Sequence, residues 1–347
     1  MKNYIVNGKY LAERMQGIVR YSREIMDELD KILEDEISVT LVVPPNAKEI
    51  PAYKKIKVDI YGKHTGIAWE QFDLGKYVRR HKDATLINLC NIAPFGVKPG
   101  ITVVHDIMYK VNRDHYKKIR NRLSRLWHEI QYQYIFKHER LIITVSNFSK
   151  SEIEKYYPET VGKIRVVPDG WEHVLRIKPD EGWQKKYTFL KPGEFYFSLA
   201  TLSKNKNGKW IMKVAEKNPQ SVFAMGGKIY ETEYDSIPSN VYLLGFISDE
   251  EACALMKNCK AFLFPSVYEG FGIPPLEALA LGAEVISSNT TSLPEVLGSS
   301  VHYIDPYNYD VDLDTIIRSK ISYKKEPLQK YGWDKSAKEL LTILNEL

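Results

Sequence analysis

A short apolar run rich in Val and Ile, followed by a longer amphipathic stretch, recurs thirteen times along this chain. Residues 3–7, 37–43, 57–61, 84–90, 101–105, 141–146 and 163–167 make a first set, and 194–200, 221–225, 241–245, 260–264, 284–288 and 301–304 a second. Runs of that length and β-branched content predict strands buried on both faces. The stretches between them carry helical spacing, clearest at Ile18, Tyr21, Ile25, Leu29 and Ile32. Alternating strand and helix gives a parallel sheet covered by helices, and two such sets in 347 residues give two α/β domains. The expected architecture is therefore two Rossmann-like, doubly wound domains facing each other across a cleft.

Punctuation supports this division. Ser248 followed by Glu251 is a capping-box pair, and Pro274-Pro275 with Gly282 brackets a helix with proline at its start and glycine after its end. The polar segment 171–193, with Pro179, Gly182, Pro192 and Gly193, lacks strand periodicity. It sets the domains at 1–175 and 176–332, with the terminal helix 333–347 expected to pack back on the first. No apolar run approaches the ~18 residues a membrane-spanning helix needs. The N-terminus lacks the apolar stretch of a signal peptide, and Cys90, Cys253 and Cys259 show no CxxC spacing. A reducing, cytoplasmic setting is the expectation.

The net charge of +5 is unevenly placed: residues 1–170 hold 29 Lys+Arg against 21 Asp+Glu, and the remainder 20 against 23. The excess is densest over 110–125, where seven basic residues accompany only Asp114. That stretch reads either as a solvated helix face or as an anion-binding surface suited to the inner face of a membrane. Tyr109, Tyr116 and Trp127 lie within or beside it. Most of the 23 tyrosines fall singly, as packing residues do, and nucleic acid is not the expected partner.

The densest chemistry sits at 264–277, FPSVYEGFGIPPLE. A strand ends at Phe264, and Gly270 and Gly272 let the backbone approach a ligand closely. A helix start then offers N–H groups to an anion. Glu269 lies in the loop and Glu277 one turn into the helix. Two carboxylates around an anion-binding turn suit a ligand that carries sugar hydroxyls as well as phosphate.

This Glu-x7-Glu arrangement resembles the signature of glycosyltransferase family 4, retaining enzymes of the GT-B fold. TVVHDIMY (102–109), TVSNFSKSEI (144–153), KIRVVPDGWE (163–172), VYLLGFISDEE (241–251) and SSNTTSLPEVLG (287–298) are similar to further blocks of that family, in the same order. AWEQFDL (68–74) resembles a segment of members that assemble polysaccharides. The resemblance implies a transfer of a hexose from a UDP- or GDP-linked nucleotide sugar to a saccharide acceptor. It points to a lipid-linked oligosaccharide in cell-surface polysaccharide synthesis, with no metal and no bound cofactor.

Residue roles follow from the same resemblance. Glu269 would hold hydroxyls of the donor hexose, with the amides of Gly270, Phe271, Gly272 and Ile273 near sugar and phosphate. Glu277 would hold the ribose, and Gly245 and Phe246 would lie near the base. His105 would approach the transferred sugar from the other domain, with Asp106 on the acceptor side, and Gly17 would sit by the diphosphate or acceptor. Lys206 matches the family's lysine at the leaving diphosphate. Asn205 stands where an arginine is expected, and Lys204 is the candidate substitute, although an ammonium is not a guanidinium fork. That departure admits an alternative, a catalytically impaired GT-B protein acting as a binding partner in a synthesis complex.

Other chemistries find less support. Asp310, Asp312 and Asp314 have D-x-D spacing but also read as an acidic helix start. His105-Asp106 lacks the Gly-x-Ser-x-Gly elbow of a hydrolase. There is no G-x-G-x-x-G after the first strand and no Walker lysine motif.

Overall fold

The computed structural model describes residues 1–112, 119–199, 204–227, 236–321 and 325–347, excluding the side chains of 119–122. Residues 200–203 of the lysine-bearing loop and the middle of the basic stretch therefore lie outside the described residues. The chain divides into two compact units. Unit 1 comprises Met1–Gly170 and Trp333–Leu347, and unit 2 comprises Trp171–Gly332.

In unit 1 the described strands are β1 (Lys2–Asn7), β2 (Ile37–Val43), β3 (Lys57–Ile60), β4 (Ala84–Asn88), β5 (Ile101–Val103), β6 (Leu141–Thr144) and β7 (Ile164–Val166). They form a parallel sheet in the order β3-β2-β1-β4-β5-β6-β7. Each falls on one of the apolar runs, to within a residue. The first helix, α1 (Gly17–Ile32), buries Val19, Tyr21, Ile25, Met26 and Leu29, the stripe its spacing requires. A longer helix, α2 (Ile119–His138), buries Tyr132, Ile135 and Phe136 against Val104, Ile107 and Ile142. Between β3 and β4 the chain makes a π-helical turn, Trp69–Leu74, whose Trp69 is buried with Ile5, Val42 and Leu86 and donates its indole N–H to the Tyr61 carbonyl at 2.7 Å.

Unit 2 repeats the plan with β8 (Phe195–Leu199), β9 (Val222–Gly226), β10 (Val241–Gly245), β11 (Ala261–Phe264), β12 (Val285–Ser288) and β13 (His302–Ile304). Their parallel order is β10-β9-β8-β11-β12-β13. Its helices include α3 (Gly208–Lys217), α4 (Asp249–Asn258), α5 (Ile273–Ala280), α6 (Leu293–Leu297) and α7 (Leu313–Arg318). Trp210 and Ile211 of α3 pack on Tyr196, Phe223, Leu263 and Ile286. Helix α4 opens with the expected capping box: Ser248 Oγ accepts the Glu251 N–H, and the Glu251 carboxylate accepts the Ser248 N–H. Asp312 caps α7 by accepting the N–H groups of Asp314 and Thr315, the helix-start reading of the D-x-D spacing.

The division falls at Gly170, ahead of the polar segment, because Trp171 already bonds to the far end of unit 2. The Trp171 indole N–H lies 3.1 Å from the Leu328 carbonyl and 3.0 Å from that of Tyr331. The chain then returns to unit 1 through α8 (Trp333–Glu346). Trp333 is buried there at 6.1 Å from the Tyr21 ring, and Gly170 is a glycine because a Cβ would meet the Trp333 backbone nitrogen at 2.3 Å. Among the described residues, no helix is long and apolar enough to cross a membrane.

Candidate active site

In a doubly wound sheet the ligand crevice opens beyond the carboxyl ends of the two strands where the order reverses. In unit 2 these are β8 and β11, so the loops that follow Leu199 and Phe264 are the ones that matter. The turn Lys204–Lys206 follows the first, and residues 265–272 follow the second. Lys206 Nζ lies 2.7 Å from Glu269 Oε1, and it also sits 5.0 Å above the Phe264 ring. The side chains of Lys206 and Glu269 keep 23% and 13% of their surface, so the pair retains a wet edge.

Asn205 does not share that edge. It is buried, its carbonyl accepts the Val267 N–H at 2.8 Å, and its Nδ2 points to the Tyr268 carbonyl at 3.4 Å. It stitches the two loops together from beneath, whereas Lys204 is exposed.

The glycine turn is held from the other side. Ser292, fully buried, places its Oγ 3.0 Å from both the Glu269 and the Phe271 carbonyls, and Thr291 Oγ1 accepts the Glu269 N–H at 3.3 Å. Phe271 turns its ring inward, edge-on to Tyr331 with centroids 5.1 Å apart, so its backbone is the part left to a ligand. Gly272 has φ +103°, and a Cβ there would meet Leu293 Cδ2 at 2.6 Å. Both facts demand glycine.

Helix α5 begins at Ile273, so Pro274 and Pro275 are its second and third residues and carry no N–H. The donors that sequence reasoning assigned to a helix start therefore shrink to the amides just ahead of the prolines. Glu277, further along α5, is engaged by a residue that no motif singles out. His173 Nε2 lies 2.6 Å from Glu277 Oε1. Around the same sheet, β10 ends at Gly245 with φ +71°, and Phe246 follows with 85% of its surface exposed.

Unit 1 has its own reversal, between β1 and β4, and polar side chains gather at the ends of both strands. Asn7 closes β1 and Asn88 closes β4, and Asn7 Nδ2 donates to Glu70 Oε1 at 2.7 Å and lies 3.2 Å from Asn88 Oδ1. Glu70, on the π-helical turn, is 1% exposed, and Lys9 Nζ reaches its other oxygen at 3.1 Å. Burial pushes the Glu70 carboxyl upward, while the Lys9 ammonium and the Asn7 amide pull it back. The neighbouring Gln71 bonds both the Ala93 carbonyl and the Phe95 N–H. Gln131 accepts the Ala93 N–H, while its own buried Nε2 has no partner among the described residues.

His105 lies just beyond β5, buried, with its ring edge-on to Tyr21 at 4.8 Å. Its Nε2 is 3.0 Å from the Leu89 carbonyl, which can only accept, so the ring proton sits on Nε2 and Nδ1 is an acceptor. Burial lowers its pKa to about 4, leaving it neutral near pH 7. Asp106 accepts the Met108 N–H at 2.8 Å and shapes the following turn. Gly17 is the exposed first residue of α1.

Residues 15–173 match the family model described as Glycosyltransferase Family 4, and residues 180–325 match the model described as Glycosyl transferases group 1. The chain belongs to glycosyltransferase family 4. Among curated relatives of this family-4 chain, the serotype-specific mannosyltransferase WbdA of Escherichia coli is 24% identical over 328 residues, 88% of this chain and 39% of WbdA. The O-antigen chain mannosyltransferase B of Escherichia coli is 28% identical over 249 residues, 65% of this chain and 62% of that protein. The family-4 chain thus spans about two fifths of the length of WbdA (39%).

Solved structures share its architecture end to end. Sucrose-phosphate synthase from Thermosynechococcus elongatus has a TM-score of 0.74 at 14% identity, covering 100% of this chain and 98% of that one. Anabaena Alr3699/HepE in complex with UDP and glucose has a TM-score of 0.69 at 16% identity, covering 100% of both chains. At such identities the likeness establishes the α/β fold of the GT-B type.

In this family-4 chain the site residues read from sequence fall into two groups. In unit 2, Lys204, Asn205, Lys206, Phe246, Glu269, Gly270, Phe271 and Gly272 lie on turns and loops after the strands, Gly245 ends β10, and Ile273 and Glu277 lie on α5; in unit 1, His105 and Asp106 follow β5 and Gly17 opens α1. His173, Thr291 and Ser292 in unit 2, and Asn7, Lys9 and Glu70 in unit 1, escaped it. The π-helical turn falls within the AWEQFDL segment, which was the available signal for Glu70.

Proposed function

We propose that this chain is a retaining glycosyltransferase that moves a hexose from a nucleotide sugar to a saccharide acceptor. The observation that carries the reading is the Lys206–Glu269 pair at the strand reversal of unit 2. A nucleotide sugar presents a diphosphate beside a ring of hydroxyls, and an ammonium next to a carboxylate is complementary to that junction. As the glycosidic bond breaks, negative charge grows on the departing diphosphate and Lys206 stabilises it. Glu269 accepts hydrogen bonds from hexose hydroxyls, aided by the backbone from Gly270 to Ile273. Glu277 accepts the ribose hydroxyls, and the exposed Phe246 ring covers the base beside Gly245. The donor reading is supported by HepE, a neighbour in fold whose structures hold UDP and UDP-glucose. The mannosyltransferases among the relatives favour mannose as the hexose.

Retention requires either a covalent intermediate or reaction on one face of the sugar. The described carboxylates of the unit 2 site are committed to Lys206 and His173. The route adopted is the same-face one, in which the departing phosphate takes the acceptor's proton, with neither metal nor cofactor. In unit 1, His105 Nδ1 is an acceptor for a sugar hydroxyl and Asp106 lies beside it. The acceptor proposed is a lipid-linked oligosaccharide of a cell-surface polysaccharide, met at the inner face of the membrane. Leu123, Leu126 and Ile130, at helical spacing on α2, are 65%, 52% and 44% exposed and offer an apolar contact to that surface.

A panel of UDP- and GDP-linked hexoses tests the reading through thermal stabilisation, slow donor hydrolysis and the anomeric configuration of the product. GDP-mannose is the expected best donor, with retention. Hydrolysis of none of the donors would leave only the impaired binding partner, and an inverted product would overturn the same-face route.

A further inference from the structure

We infer that His173 is a positioning residue that sets the Glu277 carboxylate for nucleotide binding, an inference that rests on Glu277 holding the ribose. His173 is 2% exposed, and its Nε2 lies 2.6 Å from Glu277 Oε1. A carboxylate is an acceptor at this contact, so His173 donates and its proton is fixed on Nε2. The turn that carries it, Glu172–Arg176, packs directly on α5. That turn is pinned at its start by the Trp171 indole, which bonds the carbonyls of Leu328 and Tyr331. Tyr331 in turn stands edge-on to Phe271 of the glycine loop. Turn, loop and helix thus form one support inside unit 2.

The chemistry explains the choice of residue. Two vicinal hydroxyls need a carboxylate whose plane is fixed before they arrive, because an unrestrained Glu loses rotamer freedom on binding. A buried imidazole supplies a rigid donor without bringing a second obligatory charge into the interior. It occupies one lone-pair direction of Oε1 and leaves Oε2, together with the rest of Oε1, to the ligand. Lys or Arg would reach the same oxygen on a flexible stem and would compete with the hydroxyls for it.

The test measures dissociation constants for UDP and GDP by calorimetry across a double-mutant cycle. Glu277→Ala should weaken the better-bound nucleotide by about fiftyfold or more, and His173→Leu by about tenfold, the scale of a hydrogen bond to a charged group. His173→Leu added to Glu277→Ala should cost less than about twofold more, because a positioning residue has nothing left to position. His173→Gln, which keeps an N–H donor, should restore binding to within about threefold of the parent. Normal nucleotide binding in His173→Leu alongside weak binding in Glu277→Ala overturns the role of His173, as does full additivity in the cycle. Normal binding in Glu277→Ala overturns the ribose assignment itself. If the leucine variant does not fold, His173→Asn, too short to reach Oε1, takes its place in the cycle with the same expected outcomes.

Discussion

Lys206 and Glu269 are joined at 2.7 Å although 63 residues separate them, because each follows one of the two adjacent strands at which the order of unit 2 reverses. The pair is a charge balance in the fold and, on the proposed function, part of the donor site. Lys206→Ala leaves a mostly buried carboxylate without its counter-charge and, on the proposed function, removes the stabiliser of the departing diphosphate. Donor turnover, as kcat/KM, is expected to fall by about a hundredfold or more. Glu269→Gln keeps the shape but weakens the acceptor and should lose a similar factor. Steady-state kinetics on the preferred nucleotide sugar checks both, and values within threefold of the parent would remove the pair from the mechanism.

Asn205 marks the departure from the expected arginine, and its burial dictates the result of reversing it. Asn205→Arg forces a guanidinium beneath the loop against the Tyr268 carbonyl. The outcome is a loss of stability of about 1–3 kcal/mol and lower turnover, not a gain in diphosphate affinity. Chemical denaturation and donor KM measured on the same variant decide this, and a more active, equally stable variant would refute it.

Gly272→Ala faces two obstacles, a φ of +103° and a side-chain contact of 2.6 Å with Leu293. The cost expected is about 1–3 kcal/mol in stability. Because the same residue shapes the Gly270–Ile273 loop, the proposed function has turnover fall further than nucleotide affinity, which it assigns to Glu277. Comparing kcat with the nucleotide dissociation constant separates the two effects.

Glu139 gives unit 1 a pH dependence of its own. Burial raises its pKa to about 7, opposed by the Gly100 N–H at 2.6 Å and by Thr102. The folded state therefore holds a proton that the unfolded chain has already released above pH ~4.5. This contribution is full below about pH 4.5 and disappears as pH rises through about 7, a swing of order 3 kcal/mol. Glu139→Gln should flatten the stability profile between pH 5 and 7.5 in urea titrations, and an unchanged slope would count against the burial argument.

Vesicles test the apolar stripe of α2. Vesicles rich in anionic lipid should sediment the protein at low salt and release it at high salt. Leu126→Glu with Ile130→Glu should weaken retention severalfold while leaving nucleotide affinity unchanged. Equal retention by neutral vesicles would contradict an anion-assisted surface.

The strands and the glycine loop were legible because each depends on residues close in sequence. All thirteen apolar runs contain a strand, and Ser248–Glu251 forms the capping box its spacing announces. The proline pair at 274–275 also announced the loss of two donors, a consequence that becomes plain once α5 is seen to start at Ile273. What stayed hidden depends on separation: His173 meets Glu277 across 104 positions, and Lys9 meets Glu70 across 61. No periodicity encodes such pairings, since they arise only when the sheet order brings distant loops to one edge. The burial of Asn205 was hidden for the same reason, since it depends on a Tyr268 carbonyl 63 residues away.

The return of α8 to unit 1 has a consequence for how the molecule is made. Every described strand of the first sheet leaves the ribosome before residue 170, yet the slot that receives Trp333 stays open until another 163 residues have been translated. The second unit has all of its residues by then, whereas the first still lacks its closing helix. The earlier half of this chain is therefore the later to be finished, and a nascent chain stalled before α8 would display the vacant groove beside Tyr21 to chaperones.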